Sequence, residues 1–147
     1  MVTGLAVGAI VRRGKDVLLV SEADADGGEV VWALPGGAVG PGEPLLDRVA
    51  AESGYQSVVA ERLLWVARYT TGGERYEMTG FEVTGVGPHG GQGEWVALDE
   101  AVARLERMWF APIREPAIAY LTGRARVATW WTWPSLDQPA ATVPAVR

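Results

Sequence analysis

Apolar positions along this chain fall into short runs and alternations, with few stripes of helical spacing. Leu5 to Arg13 (LAVGAIVRR) is apolar and rich in β-favouring residues. Asp16 to Ala23 (DVLLVSEA) repeats that character across Arg13-Gly14-Lys15, which predicts a hairpin. Asp24 to Glu29 (DADGGE) reads as a loop. Val30 to Gly37 (VVWALPGG) reads as a third short strand running into Gly36 and Gly37, where backbone conformations closed to other residues become available. From Ser57 to Thr70 the pattern is again strand-like. Thr71 to Glu74 (TGGE) turns it into Arg75 to Gly85, where Tyr76 and Met78 alternate with polar residues, a second hairpin.

Helical spacing appears in three places. Leu45, Leu46, Val49 and Ala50 form an apolar face between Pro44, which suits a first helical position because it has no amide hydrogen to leave unpaired, and Gly54, which suits a left-handed exit after Ser53. That helix is about 10 residues, or about 15 Å, long. After a glycine-rich loop at Pro88 to Gly93 and a short strand at Glu94 to Leu98, Asp99 to Met108 predicts a helix with Asp99 as N-cap. Another helix is predicted from near Pro112 to Leu121, ending at Gly123. Trp130, Trp131 and Trp133 follow, and then a Pro/Ala-rich stretch predicted to be disordered. Strands dominate and one helix separates the third strand from the second hairpin. The order predicts an α/β (α+β) sandwich, not a Rossmann repeat, with one domain over residues 1–133 and a tail over 134–147.

Composition narrows the function classes. A length of 147 residues with 48% hydrophobic content suits a single core. With no cysteine there is no disulfide framework, thiolate nucleophile or zinc-thiolate site, which fits a reducing cytoplasm. No apolar run is long enough to span a membrane, and the first fifteen residues lack the order of a signal peptide. A net charge of -5 argues against a nucleic-acid polymer as partner, yet leaves room for a local basic pocket that takes a small phosphate-containing ligand.

The stretch Leu34 to Glu43 (LPGGAVGPGE), followed by a helix ending in Glu52-Ser53-Gly54-Tyr55, resembles the Nudix hydrolase superfamily, whose box reads G-x5-E-x7-R-E-U-x-E-E-x-G-U with U bulky and aliphatic. Gly37 and Glu43 match the first half at the right spacing, and Trp95, Leu98, Asp99 and Glu100 resemble the strand and helix start that follow the box, so the likeness covers roughly Leu5 to Leu121. The resemblance implies a mixed sheet packed between helices and, in active members, magnesium- or manganese-assisted cleavage of a nucleoside diphosphate joined to another group. The second half departs from the pattern. Aligned from the right, Asp47 replaces the Arg, Arg48 the first Glu and Ala51 the second, and Glu52 survives; aligned from the left, Ala51 and Glu52 fall on R-E and the later pair becomes Tyr55 and Gln56. Either way one of three expected metal-binding glutamates remains. The two alignments differ by four residues, close to one helical turn, so the helix keeps roughly the same face toward the site.

Cleaving a phosphoanhydride requires charge neutralisation, a positioned water and a proton acceptor. Magnesium often needs only one or two protein carboxylates. The metal candidates are Glu52, Glu43 and Asp47. On a helix Glu43 and Asp47 would lie about 40° apart, with Glu52 about 140° from Asp47, so the three do not chelate one ion from this helix alone. Glu52 is also the first catalytic candidate, joined by Glu94 from the region where some relatives carry a base; Glu77 and Glu82 are further carboxylates of the second hairpin. Arg48 has two readings: an i,i+4 surface pair with Glu52, or a guanidinium in the vacated metal position that binds phosphate directly. Gly36 and Gly37 can present backbone amides to a phosphate, although glycine turns are more often structural.

Trp32 and Tyr76, like Trp65, Tyr69 and Trp109, are core or pocket-wall residues by their chemistry, and with Arg68 they are the side chains placed for ligand recognition. His89, the only histidine, is expected at the surface of its loop. The three terminal tryptophans either pack back on the domain or form a homodimer interface. Three functions stay open at this point: a Nudix-type hydrolase with a weakened metal site, a non-catalytic module that binds a nucleotide-like ligand, and a related enzyme with metal-independent acid/base chemistry.

Overall fold

A computed structural model describes residues 2–23 and 30–144, so the loop expected at Asp24 to Glu29 lies outside the described residues. Strand β1 (Gly4–Arg13) is the axis of the fold. Its residues alternate between two cores. Val7, Ala9 and Val11 enter one cluster with Leu18, Val49 and Val83, while Ile10 enters another with Trp65, Met78, Leu105 and Ile118. A strand covered on both faces needs a continuous apolar run, which explains LAVGAIV.

The first hairpin forms and then splays. β2 (Asp16–Ala23) pairs with β1 only at Arg12↔Val17 and Arg13↔Asp16, while its first half, Asp16 to Leu19, pairs with β7 (Glu94–Ala97) and its second half, Val20 to Ala23, with β3 (Val30–Ala33). β1 instead pairs antiparallel with β4 (Gly36–Val39) and parallel with β6 (Glu74–Val86), which is hairpinned to β5 (Ser57–Thr71). The result is a mixed sheet with helices on both sides. Helix α1 (Leu45–Ser53) packs on β4, β5 and β1, and helices α2 (Leu98–Leu105) and α3 (Ala111–Leu121) pack together, α2 against β2, β3 and β7 and α3 against β5 and β6.

Several boundaries shift from their expected places. The third strand is two strands, because the chain changes sheets at Pro35, which has no amide hydrogen for a ladder. Pro44 is the N-cap, with extended ψ of 138°, so α1 starts at Leu45; Gly54 takes the expected left-handed exit at φ 83°. α2 is capped by Ala97, not Asp99, whose carboxylate instead accepts the Glu100 amide inside the first turn. The terminal segment is part of the sheet: β8 (Thr129–Trp133) runs parallel to β5, and β9 (Ala141–Val143) pairs with β8 within the stretch expected to be disordered. Trp133 is 1% exposed and Trp131 half-buried, so these two pack back on the domain, while Trp130 is 38% exposed. No helix among the described residues is long and apolar enough to cross a membrane.

Two glycines are fixed by close approach. Trp65 lies across Gly80, where an added Cβ would stand 2.1 Å from the indole. Gly36 has φ of 150°, and a Cβ there would stand 2.0 Å from the Val7 carbonyl oxygen. The β4–β1 pairing cannot close around a side chain. Gly36→Ala is therefore expected to lower stability by more than about 2 kcal/mol in urea unfolding, whereas Gly40→Ala, which meets nothing within 4 Å, leaves the midpoint nearly unchanged.

Candidate active site

The crossing at Pro35 carries the chain from the small antiparallel sheet to the central one and delivers Glu43 to the start of α1. The Pro35 carbonyl accepts the Ala9 amide at 3.0 Å, and a turn from Gly40 to Glu43 is closed by the Glu43 amide donating to the Gly40 carbonyl at 3.1 Å. Arg48, one turn into the helix, then reaches backwards. Its Nε and Nη2 donate to the two carboxylate oxygens of Glu43, both at 3.2 Å, and its Nη1 lies 3.6 Å from Glu52 Oε1. One guanidinium thus sits between two carboxylates.

The i,i+4 pair with Glu52 exists, but the shorter, bidentate contact is with Glu43. Helical spacing does not apply to Glu43, which precedes the cap, and that is why it meets Glu52's partner across a distance the helical wheel would forbid. Asp47 is exposed and joins none of these contacts among the described residues. Gly37 lies beside the cluster: a Cβ there would meet the Arg48 side chain at 3.9 Å.

Two carboxylates and one guanidinium leave the cluster with a net charge of about -1. Such a site attracts a further cation more readily than an anion. No group of three or more acidic or histidine side chains among the described residues is placed to hold a metal ion. Glu43 and Glu52 nevertheless converge on one cationic position, and two carboxylates suffice for magnesium when substrate phosphates complete its shell.

The other candidates lie elsewhere. Glu94, exposed at the start of β7, accepts Arg104 Nη2 at 3.0 Å, and Arg104 Nε donates to Glu100 at 3.0 Å. The Arg104 hydrogen bond holds the Glu94 carboxyl below the ordinary range, which makes it a poorer base. The same guanidinium lies 4.7 Å over the Trp32 ring, in a cleft of about 330 Å³ with Arg107. Arg68 and Tyr76 line a different cavity of about 440 Å³ with Tyr69 and Trp133. There Arg68 donates to Glu77 at 2.9 Å and covers Trp130 at 4.6 Å, while Tyr76 stacks on Tyr69 at 5.3 Å. The two cavities share no lining residue, and Arg48 lines neither.

Solved structures share this architecture. A Nudix hydrolase from Nitrosomonas europaea superposes with a TM-score of 0.66 at 22% identity, over 85% of this chain and 92% of its own. A MutT protein from Bacillus halodurans gives 0.57 at 17% identity over 95% and 96%, and a UDP-X diphosphatase 0.50 at 23% over 67% and 53%. The fold is that of the Nudix hydrolases. No protein-family model matches the sequence, and no curated protein does.

Within the Nudix fold, three features of this chain had little or no sequence signal. His89 is half-buried, not exposed: its Nε2 lies 2.7 Å from the Ser53 carbonyl oxygen and its Nδ1 3.2 Å from the Gly91 amide, an arrangement that suits a proton on Nε2. With the Gly90 amide on the Gly54 carbonyl, it clamps the Pro88 to Gly93 loop to the end of α1. Arg104 had only its i,i+4 spacing from Glu100. Glu82, weighed as a site carboxylate, instead accepts the Tyr120 hydroxyl at 2.6 Å and Arg62 at 3.1 Å, with Arg12 at 3.6 Å, and so ties α3 to the sheet.

Partial burial pushes the Glu82 carboxyl up, but the Tyr120 and Arg62 hydrogen bonds and the charges of Arg62 and Arg12 outweigh it and hold it below the ordinary glutamate value of 4.5. A carboxyl depressed in the folded state adds stability above its unfolded pKa and loses it as pH falls through the folded one. The melting temperature of Glu82→Gln is therefore expected to lie below wild type at pH 7, with the gap closing as both are acidified below about pH 4.5.

Proposed function

We propose that this chain is a Nudix-type hydrolase that cleaves a phosphoanhydride in a nucleoside diphosphate-linked small molecule, at a reduced cation site on the first turns of α1. The observation that carries the reading is the convergence of Glu43 and Glu52 on one position with net negative charge. The fold, shared with proteins described as hydrolases and as a diphosphatase, supports the reaction class. A bound magnesium or manganese ion supplies charge neutralisation on phosphoryl oxygens. Glu43, just before the helix, and Glu52 would hold it, with Asp47 on α1 as a further carboxylate and Arg48 as the guanidinium available to substrate phosphates. Glu52 accepts the proton of the attacking water, with Glu94 the alternative base once its Arg104 contact opens. Gly36 and Gly37 shape the wall of the site, and Trp32, Arg68 and Tyr76 are the outlying recognition residues.

One observation favours a second reading, recognition without cleavage: the Arg48 guanidinium already fills the position on which the carboxylates converge, bidentate to Glu43. The two readings separate in one experiment. Purified protein is assayed against nucleoside diphosphate sugars, dinucleoside polyphosphates and nucleoside triphosphates with magnesium, manganese or chelator, beside Glu52→Gln. Hydrolysis predicts metal-dependent product release lost in the variant; recognition predicts no release and ligand-induced thermal shifts that survive chelator in both proteins.

Arg48 also competes directly with any cation for the two carboxylates. Removing it in Arg48→Ala is expected to tighten manganese binding by about 3- to 5-fold, the scale of a partly exposed ion pair, in a calorimetric titration. An unchanged or weaker affinity would contradict the shared position. The reading extends to a homodimer across the β8–β9 edge, where Trp130 and Val143 are exposed opposite each other. Light scattering should give twice the monomer mass for wild type and the monomer mass for Trp130→Ser.

A further inference from the structure

We propose a second binding site in the cavity between α3, β8 and β9, built to take a small organic anion with a flat apolar body. The cavity measures about 770 Å³, a volume typical of small-molecule pockets, and shares no lining residue with the Glu43–Arg48–Glu52 cluster. Its apolar surface comes from Ile118 and Ala119 of α3 and from Trp131 of β8. The Trp131 ring is held flat against Trp133, with centroids 5.9 Å apart and planes within 13°, so it offers a fixed aromatic face. A planar ligand can stack there without first ordering the side chain.

Charge defines the other half of the ligand. Arg114, Arg124 and Arg126 line the cavity against Glu106 and Glu115, a local positive excess on a chain whose net charge is -5. Arg114 is partly committed, donating from Nη1 to the Met108 carbonyl at 2.8 Å. Arg124, whose Nε donates to the Thr122 hydroxyl at 3.0 Å, and Arg126 are the exposed pair, and their remaining N–H groups are the donors for an incoming anion. The backbone carrying them is held in place: the Arg124 and Ala125 amides both donate to the Ala119 carbonyl, at 2.8 and 3.1 Å, and the Arg126 carbonyl accepts the Thr129 hydroxyl at 2.7 Å. Ala128 takes φ of 60°, a left-handed conformation rare outside glycine, as the chain turns from this loop into β8. A strained, tied loop that presents two guanidiniums beside a fixed indole is a recognition device for an anionic ring compound.

The test uses the full chain and adenosine monophosphate as probe, with adenosine and inorganic phosphate as controls. The indole N–H resonance of Trp131 is assigned by its loss in Trp131→Phe and followed during titration. Expected is a saturable shift with adenosine monophosphate, at least 10-fold weaker affinity for each control, at least 10-fold weaker binding in Arg124→Ala/Arg126→Ala, and unchanged binding in Glu52→Gln and Arg48→Ala. Both arginines are exposed, so the double variant should keep the wild-type spectrum without ligand. Absence of a Trp131 shift, binding that survives loss of both arginines, or binding abolished by Arg48→Ala would each overturn the proposal. Inorganic phosphate binding as tightly as the nucleotide would also overturn it, because the aromatic face would then contribute nothing.

Discussion

Everything in this fold hangs on β1 being buried on both faces and paired on both edges. Val7, Ala9 and Val11 look toward α1, and Ile10 looks toward α2 and α3, so one strand belongs to two cores. Its edges are taken by β4 and β6, which leaves β2 only two paired residues before it must depart. The small β3-β2-β7 sheet is the consequence of that departure. The crossing from β3 to β4 is in turn the segment that aims Glu43 at the helix, so the chemistry of the site is set by strand pairing before any side chain is considered. A carbonyl of β1 at Val7 leaves no room for a Cβ at Gly36. Gly36 is thus a packing requirement, whereas a Cβ at Gly37 would meet only the Arg48 side chain at 3.9 Å.

Much of this was legible in the sequence, because the signals were local. Both hairpins, α1 with its Gly54 exit and α3 with its Gly123 exit follow from alternation, spacing and left-handed glycines. What escaped depended on contacts distant in sequence. Pro35 looks like the middle of one strand until β1 and β2 are seen to diverge. Ala141–Val143 has no strand signal of its own, being exposed and flanked by prolines, and is ordered by the ladder of β8. His89 looked like a surface residue because its partners, the Ser53 carbonyl and the rings of Tyr55 and Trp95, come from other elements.

The site was half legible for a related reason. Glu43 and Glu52 were candidates by their places in the box, and Arg48 by its departure from it. Their geometry was misjudged where helical periodicity was extended to a residue outside the helix. Glu43 stands before the Pro44 cap, where the chain is extended, and from there its carboxylate folds down onto the first turn. Trp32, Arg68 and Tyr76 were grouped by chemistry alone, and the topology divides them, with Trp32 on β3 and Arg68 and Tyr76 on the β5–β6 hairpin in a separate cavity.

The guanidinium between Glu43 and Glu52 raises the question of whether it closes the site. Its contacts number three, but the side chains are 33% (Arg48), 32% (Glu43) and 42% (Glu52) exposed, and ion pairs of that kind contribute at most about 1 kcal/mol. A phosphate group brings charge-assisted, bidentate bonds of the same geometry as Glu43, so exchange of one partner for the other is close to balanced. Energy therefore does not lock Arg48 in place. The harder constraint is the number of carboxylates: on the proposed reading, an ion held by Glu43 and Glu52 would take the rest of its oxygen shell from water and substrate phosphate. On that reading, cation and substrate would reinforce each other's binding, and both would compete with the Arg48 contacts.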